Sequence, residues 1–388
     1  MFDKEKYKQL ALKILNPIQP ATNSTLVQKD FLFNAQRSEA SKKLPEYFLI
    51  YFLFADLLEF ENLGMFEKIA WSFPIDYKGK GYLIEYRKLG VGVFVQDKKQ
   101  DEQEAEDIVK KINSAVKSAR PFYDFLAEEA VLKSQFNVIN NNSDLFERFN
   151  FLLKLYKKEH KKYLKNKGKY QKKTFQTPMG EAFSISSLDF KFHKRANWIA
   201  ISCIEAFFSW TEHLFIHLAV IGQNLHNGQA ISNLIESEWK IKFKKAIPEN
   251  TKEAEKYYNE LLIVRQQLRN FVAHGAFGKN GNAFKFHSNT GAVPVQMNHN
   301  KPQNRFSLQG NLTFNEEDVI ILIESFIDFL WKKSPKTSMF YTQKCGLPTI
   351  LTYAADGTYQ EAAKSMNSMK KLTEKLFRQF DDAANMDW

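Results

Sequence analysis

The stretch Leu268-Arg269-Asn270-Phe271-Val272-Ala273-His274-Gly275 places an arginine, an amide and a histidine within six residues and closes on a glycine. Histidine can give or take a proton near neutral pH, and arginine can fork onto a phosphate. Metal-free cleavage of RNA needs both. The ribose 2′-OH attacks its own phosphate, protons move on and off oxygen, and negative charge builds on the phosphoryl oxygens. Asn270 can orient the histidine or donate to a phosphate oxygen.

A helix has to position these groups. On a wheel advancing about 100° per residue, Tyr257, Leu261, Val264, Phe271 and Val272 fall within roughly 60° of Leu268 and form a core stripe. Asn270 and His274 are four apart and share the opposite face, flanked by Arg269. The polar trio therefore points away from its own core, toward solvent, substrate or a partner surface. Asn250 and Glu253 read as a capping-box-like start for this helix. Gly275 supplies the left-handed residue that ends it, so His274 sits in the last turn, where the negative end of the helix dipole favours imidazolium.

Arg269-Asn270-Phe271-Val272-Ala273-His274 fits the R-x4-H motif, in the form with asparagine directly after arginine and glycine after histidine. On these residues the chain resembles the HEPN superfamily over about residues 190–335; the first 150 lie outside the resemblance. It implies a C-terminal HEPN-like helical bundle and a metal-independent endoribonuclease of the kind found in toxin, phage-defence and abortive-infection systems. It also implies a homodimer in which two motif copies form one composite site, since a single copy occurs here. On that analogy Arg269 binds and polarises the scissile phosphate, His274 is the general acid or base, and Asn270 supports the geometry. No cofactor or metal is called for. RNA is the expected partner, with an antitoxin or regulatory partner as a further expectation. The alternative is a non-catalytic RNA-binding or assembly module on the same fold.

The rest of the chain reads as mainly α with small β-hairpins, an α+β class. The expected division is an N-terminal α+β region over 1–150 that senses or regulates, a lysine-rich helix and connector over 151–189, and a helical domain over 190–388 with an inserted hairpin. In the first region a helix is expected from Lys4 to about Leu15. The apolar run Tyr47–Ala55 predicts a buried helix from Pro45 to about Glu61, and the stretch 68–97 predicts a hairpin or meander. An acidic helix start follows near Asp101, with a break at Pro121. Asn140, Asn141 and Asn142 signal a turn and cap. Asn197–Ile221 is apolar almost all round, as a central helix should be. A hairpin is expected around Asn289–Gly291, a helix capped by Thr313 and Glu316 ends near Lys333, and a last helix starts at Thr358.

The 388 residues carry a formal charge of +11, which favours an anionic partner. Ten lysines against one acid, Glu159, lie between Lys154 and Lys173. That run is either a solvated helix end or a phosphate-tracking surface, with Lys157, Lys158, Lys161, Lys162 and Lys165 on RNA and Tyr156, Tyr163 and Tyr170 stacking on bases. No apolar h-region opens the chain, no membrane partner is expected, and two cysteines, Cys203 and Cys345, offer no metal spacing; the cytoplasm is the expected compartment.

Other signals are weaker. His213 and His217 have the i, i+4 spacing that can clamp zinc, though hydrogen-bonded core histidines fit a crowded helix better. Glu205 and Glu212 on the same helix are within reach of the composite site. The Gly-Lys pair after His274 lacks Walker spacing, Gly90-Val91-Gly92 lacks a following helix, and Cys203 sits mid-helix in an apolar setting.

Overall fold

The computed structural model describes residues 2–247, 251–273, 284–289, 291–297, 306–307, 316–332 and 336–386. Helices dominate and the sheets are small and antiparallel, as the sequence predicts. The chain divides into two compact units, Met1–Lys133 with Glu374–Trp388, and Ser134–Thr373.

In the first unit the aromatic and β-branched runs form Ile69–Tyr77, Lys80–Arg87 and Gly90–Val95 as an antiparallel meander. Lys78 and Gly79 both take positive φ, the twist a two-residue hairpin turn requires. Short strands Ile18–Pro20 and Gln36–Arg37 cover the two edges, so the sheet has five strands. Phe73, Ile84 and Val93 stand opposite one another across the three central strands and point into one core. Against them pack Ile50, Leu53, Phe54 and Leu57 of the apolar run and Ile108 and Ile112 of helix Lys98–Ser118. The apolar run is helical over Tyr47–Tyr51 and widens into a π-helix over Phe52–Leu57, ending before Glu61. Asp97 caps the next helix by accepting from the N–H groups of Lys99 and Gln100, and Pro121 sits in the first turn of Arg120–Leu132.

The second unit is organised by one helix of 36 residues, Leu188–Gln223, longer than the expected Asn197–Ile221. Among the described residues it is the helix long and apolar enough to cross a membrane, yet most of that apolar stretch is buried inside the protein. Its Phe207, Trp210 and Phe215 pack with Trp239 and Phe243 of helix Trp239–Ala246 and Phe326 of helix Glu316–Lys332. Two indole N–H groups taken into this core find acceptors, Trp239 on Thr211 Oγ1 (3.0 Å) and Trp210 on Gln343 Oε1 (2.8 Å), as buried polar atoms must.

The division differs from the expected one at both ends. Helix Asn142–Lys165 is not a connector: Phe149, Leu153 and Tyr156 are buried in the core of the second unit against the long helix, so the boundary lies at 133/134 rather than near 150. Its N-cap residue, Asn141, makes no side-chain capping bond; the asparagine cluster instead forms the turn before it, where Asn140 Oδ1 accepts from the N–H of Asn142 (3.0 Å). At the other end the segment after Thr358 forms two helices, Thr358–Ala363 and Met366–Asn385. Ser365 caps the second by accepting from the N–H of Ser368 (3.0 Å). From Glu374 onward the chain belongs to the first unit, where Lys68 and Lys88 reach Asn385. The inserted hairpin pairs Phe284–Ser288 with Gly291–Met297, Ser288 opposite Gly291, and a third strand, Phe306–Ser307, joins it.

Candidate functional site

The helix carrying the motif is Lys252–Ala273. Asn250 lies outside the described residues, and the cap is its neighbour: Thr251 Oγ1 accepts from the N–H of Ala254 (3.2 Å), as an N-cap side chain does. The expected core stripe is present at Leu261, Val264 and Leu268, all buried. Half-buried Tyr257 packs its ring on Phe326 and Phe329 and donates to the carbonyl of Ser325 (3.2 Å). The opposite face is exposed. Asn259, Ile263 and Gln266 precede position 270 by eleven, seven and four residues and so share its face; Ile263, an isoleucine, is 54% exposed there.

A charged cluster ties this helix to the long helix one turn before the motif. Glu212 accepts from Arg265, whose guanidinium also lies over the Phe208 ring (5.4 Å from its centroid). Lys242 Nζ stands 3.9 Å from the second oxygen of Glu212, on a side chain only 8% exposed. Burial lowers the Lys242 pKa and the adjacent Arg265 lowers it further, with Glu212 opposing both. The chain thus holds a desolvated ammonium against a carboxylate, at a cost that only hydrogen-bonded pairing offsets. Glu212 was within reach of the site by sequence; its place is beside Arg265 and Lys242. Glu205 is exposed.

Arg269 and Asn270 occupy the last helical turn, four and five positions after Arg265. Their side chains, and the whole of His274, Gly275 and Thr313, lie outside the described residues, as do the side chains of Phe271 and Val272.

His213 and His217 are hydrogen-bonded to each other and to neighbouring elements. His217 Nε2 lies 3.2 Å from His213 Nε2, and its Nδ1 lies 2.7 Å from Thr349 Oγ1. His213 Nε2 accepts from the N–H of Asn141 (2.9 Å). The pair is a hydrogen-bonded strut joining the long helix to the start of Asn142–Lys165 and to strand Thr349–Ile350. Burial pushes the His217 pKa down to about 3, and burial with nearby Lys242 lowers that of His213. Among the described residues no group of three or more metal-binding side chains converges.

The lysine-rich helix sorts its side chains. Lys157 pairs with Glu324 (2.5 Å) and Lys162 with Glu159. Lys158, Lys161 and Lys165, with Lys154, are exposed and have no acidic partner among the described residues. Tyr156 is 3% exposed and belongs to the core, which removes it as a base-stacking surface. Tyr163 is half-buried between His160 and His193, and of the three tyrosines Tyr170 alone stands well exposed, at 70%. His160 and His193 approach Glu317 (3.7 Å) and Glu316 (3.8 Å), and Asn197 donates to Glu316 (2.8 Å), fastening the helix that follows the inserted hairpin.

Sequence reasoning missed Arg265 and Lys242. The spacing of Arg265, four before Arg269, is its only local signal, and Lys242 carries none. No family model matches the chain, and no curated protein or solved structure matches it either.

Proposed function

We propose that this protein is a metal-independent endoribonuclease that acts as a homodimer, with Arg269, Asn270 and His274 as its catalytic residues and a role as a cytoplasmic toxin or anti-phage effector. The observation carrying this reading is the exposed face of helix Lys252–Ala273, which leads through Asn259, Ile263 and Gln266 to position 270 while the opposite face is locked into the core. An open face leading to the motif supports contact with substrate or with a second copy.

In the proposed reaction a neutral imidazole takes the proton of the ribose 2′-OH, the 2′-oxygen bonds to phosphorus, and the bond to the 5′-oxygen breaks as an imidazolium protonates that oxygen. Two copies of His274 across a two-fold axis supply both forms. Arg269 bears on the phosphoryl oxygens as charge builds. The products are a 2′,3′-cyclic phosphate and a 5′-OH.

The test is cleavage of a labelled RNA pool in EDTA by the native chain, His274→Ala and Arg269→Ala, each checked for folding and dimerisation. Cleavage by the native chain alone, leaving cyclic phosphate ends, supports the reading. Equal RNA binding by all three with no cleavage would replace it with a non-catalytic binding module, to which the exposed Lys158, Lys161 and Lys165 are equally suited.

A further inference from the structure

Between the lysine-rich helix and the long helix stands an antiparallel arm, Tyr170–Thr177 paired with Gly180–Ser187 along its whole length. It is rooted at both ends. The N–H of Leu188 bonds to the carbonyl of Lys169 (2.9 Å), and the N–H of Gly168 to the carboxylate of Asp189 (2.9 Å). Among the described residues nothing covers either face: of its sixteen strand residues, only Thr177, Ala182 and Ser187 are even half-buried. A bare two-stranded ribbon is marginal in water, and this one also spends large apolar groups on solvent. On one face stand Tyr170, Phe183 (58% exposed) and Ile185 (61%) with Lys172, whose Nζ lies 4.4 Å from the Phe183 ring centroid. On the other stand Lys173 and Phe175 (51%).

The approach to the arm is charged in a line. Lys154, Lys158, Lys161 and Lys165 are exposed at spacings of four, three and four, so they form one stripe on helix Asn142–Lys165. At 1.5 Å rise per residue they present one charge roughly every 5 to 6 Å. From Lys154 to Trp198 there are thirteen lysines and arginines against three acids, nearly the whole of the chain's +11 excess.

From this arrangement we infer that the lysine stripe and the arm form a docking track for single-stranded nucleic acid, the stripe holding phosphates and Tyr170 and Phe183 stacking on bases. That the strand is RNA rests on the proposed ribonuclease site. Charge decides the occupant. A second copy laid on the arm would bring like charges together, which costs energy. An anionic membrane would take a plane of apolar groups, whereas these stand on both faces of a ribbon. A flexible polyanion with exposed bases matches both a line of charge and separated rings.

The probe is a short fluorescent single-stranded RNA, 2′-O-methylated so that its own 2′-oxygen cannot cut it. Its binding to the full chain is followed by anisotropy across a salt series. Tyr170→Ala with Phe183→Ala is expected to weaken binding about tenfold or more. Lys158→Gln with Lys161→Gln and Lys165→Gln is expected to flatten the salt slope by about 2, at roughly 0.7 per phosphate contact. All five side chains are exposed or half-buried, so circular dichroism and melting should stay native. The duplex form should bind more weakly. The inference is overturned if both variants bind as the native chain does, if duplex binds as well as single strand, or if the arm variants alter only self-association or vesicle binding. Native binding through the arm, with unmethylated RNA left intact, would sink the ribonuclease reading and leave the docking track standing.

Discussion

Glu212 and Arg265 are 53 residues apart in sequence and joined by a hydrogen-bonded ion pair, one helical turn before Arg269. This contact holds the motif helix against the long helix at the edge of the buried stripe. It also supplies the counter-charge for a lysine, Lys242, that burial would otherwise leave isolated.

Glu212→Gln should therefore cost stability twice, through the lost pair and through the stranded ammonium. With Glu212 and Arg265 about a third exposed, solvent screening trims the pair itself, and a total of about 1–2 kcal/mol is expected. Adding Lys242→Met should recover part of that loss. Urea unfolding of the four variants of the cycle reads it, and strict additivity would remove the coupling.

The His213–His217 strut makes the fold acid-sensitive. Both imidazoles are held neutral, so their folded pKa values lie below the unfolded value near 6.5. Above 6.5 their contribution is fully present. As pH falls below it the unfolded chain binds protons that the folded one refuses, and stability drops by up to about 1.4 kcal/mol per pH unit for each histidine. Lys242, facing His213, adds to the penalty for a second positive charge. Melting between pH 7.5 and 5 should show the decline, and His217→Gln should flatten it. An unchanged slope in that variant would place the sensitivity elsewhere.

Ile263 tests the dimer. On the proposed reading it lies on the face that meets a second copy, and its exposure means that Ile263→Glu should not disturb the fold. Sedimentation should shift toward monomer, and cleavage should fall in proportion to the dimer remaining, so that rate varies with the square of enzyme concentration in dilute solution. A variant that is monomeric and fully active would exclude a composite site.

Cys203 should be inert. It is fully buried, and burial pushes its thiol up to about 12, so almost no thiolate exists at pH 8. A thiol reagent should modify it only after denaturation. Rapid reaction in the folded state would mean that the core around Phe207 and Trp210 opens readily.

What the sequence by itself determined is what repeats over a few residues. The core stripe of the motif helix, the meander from Ile69 to Val95, the hairpin at Asn289–Gly291 and the apolar central helix were all legible because hydrophobic period and turn residues are local. The location of the motif was legible for the same reason. Caps were legible to within a residue, since Asn250 and Thr251 are both suitable and only backbone geometry chooses. The tertiary structure decided which of several equivalent side chains are used. Tyr156 and Tyr170 lie in one basic run, yet one is core and the other exposed, because helix Asn142–Lys165 turns one face into the second unit. Lys157 is paired and Lys158, among the described residues, is not, because Glu324 arrives from a helix far along the chain. His213 and His217 have metal spacing, yet Thr349 and Asn141 take their nitrogens. Each outcome depends on partners brought together by packing, and no local pattern encodes them.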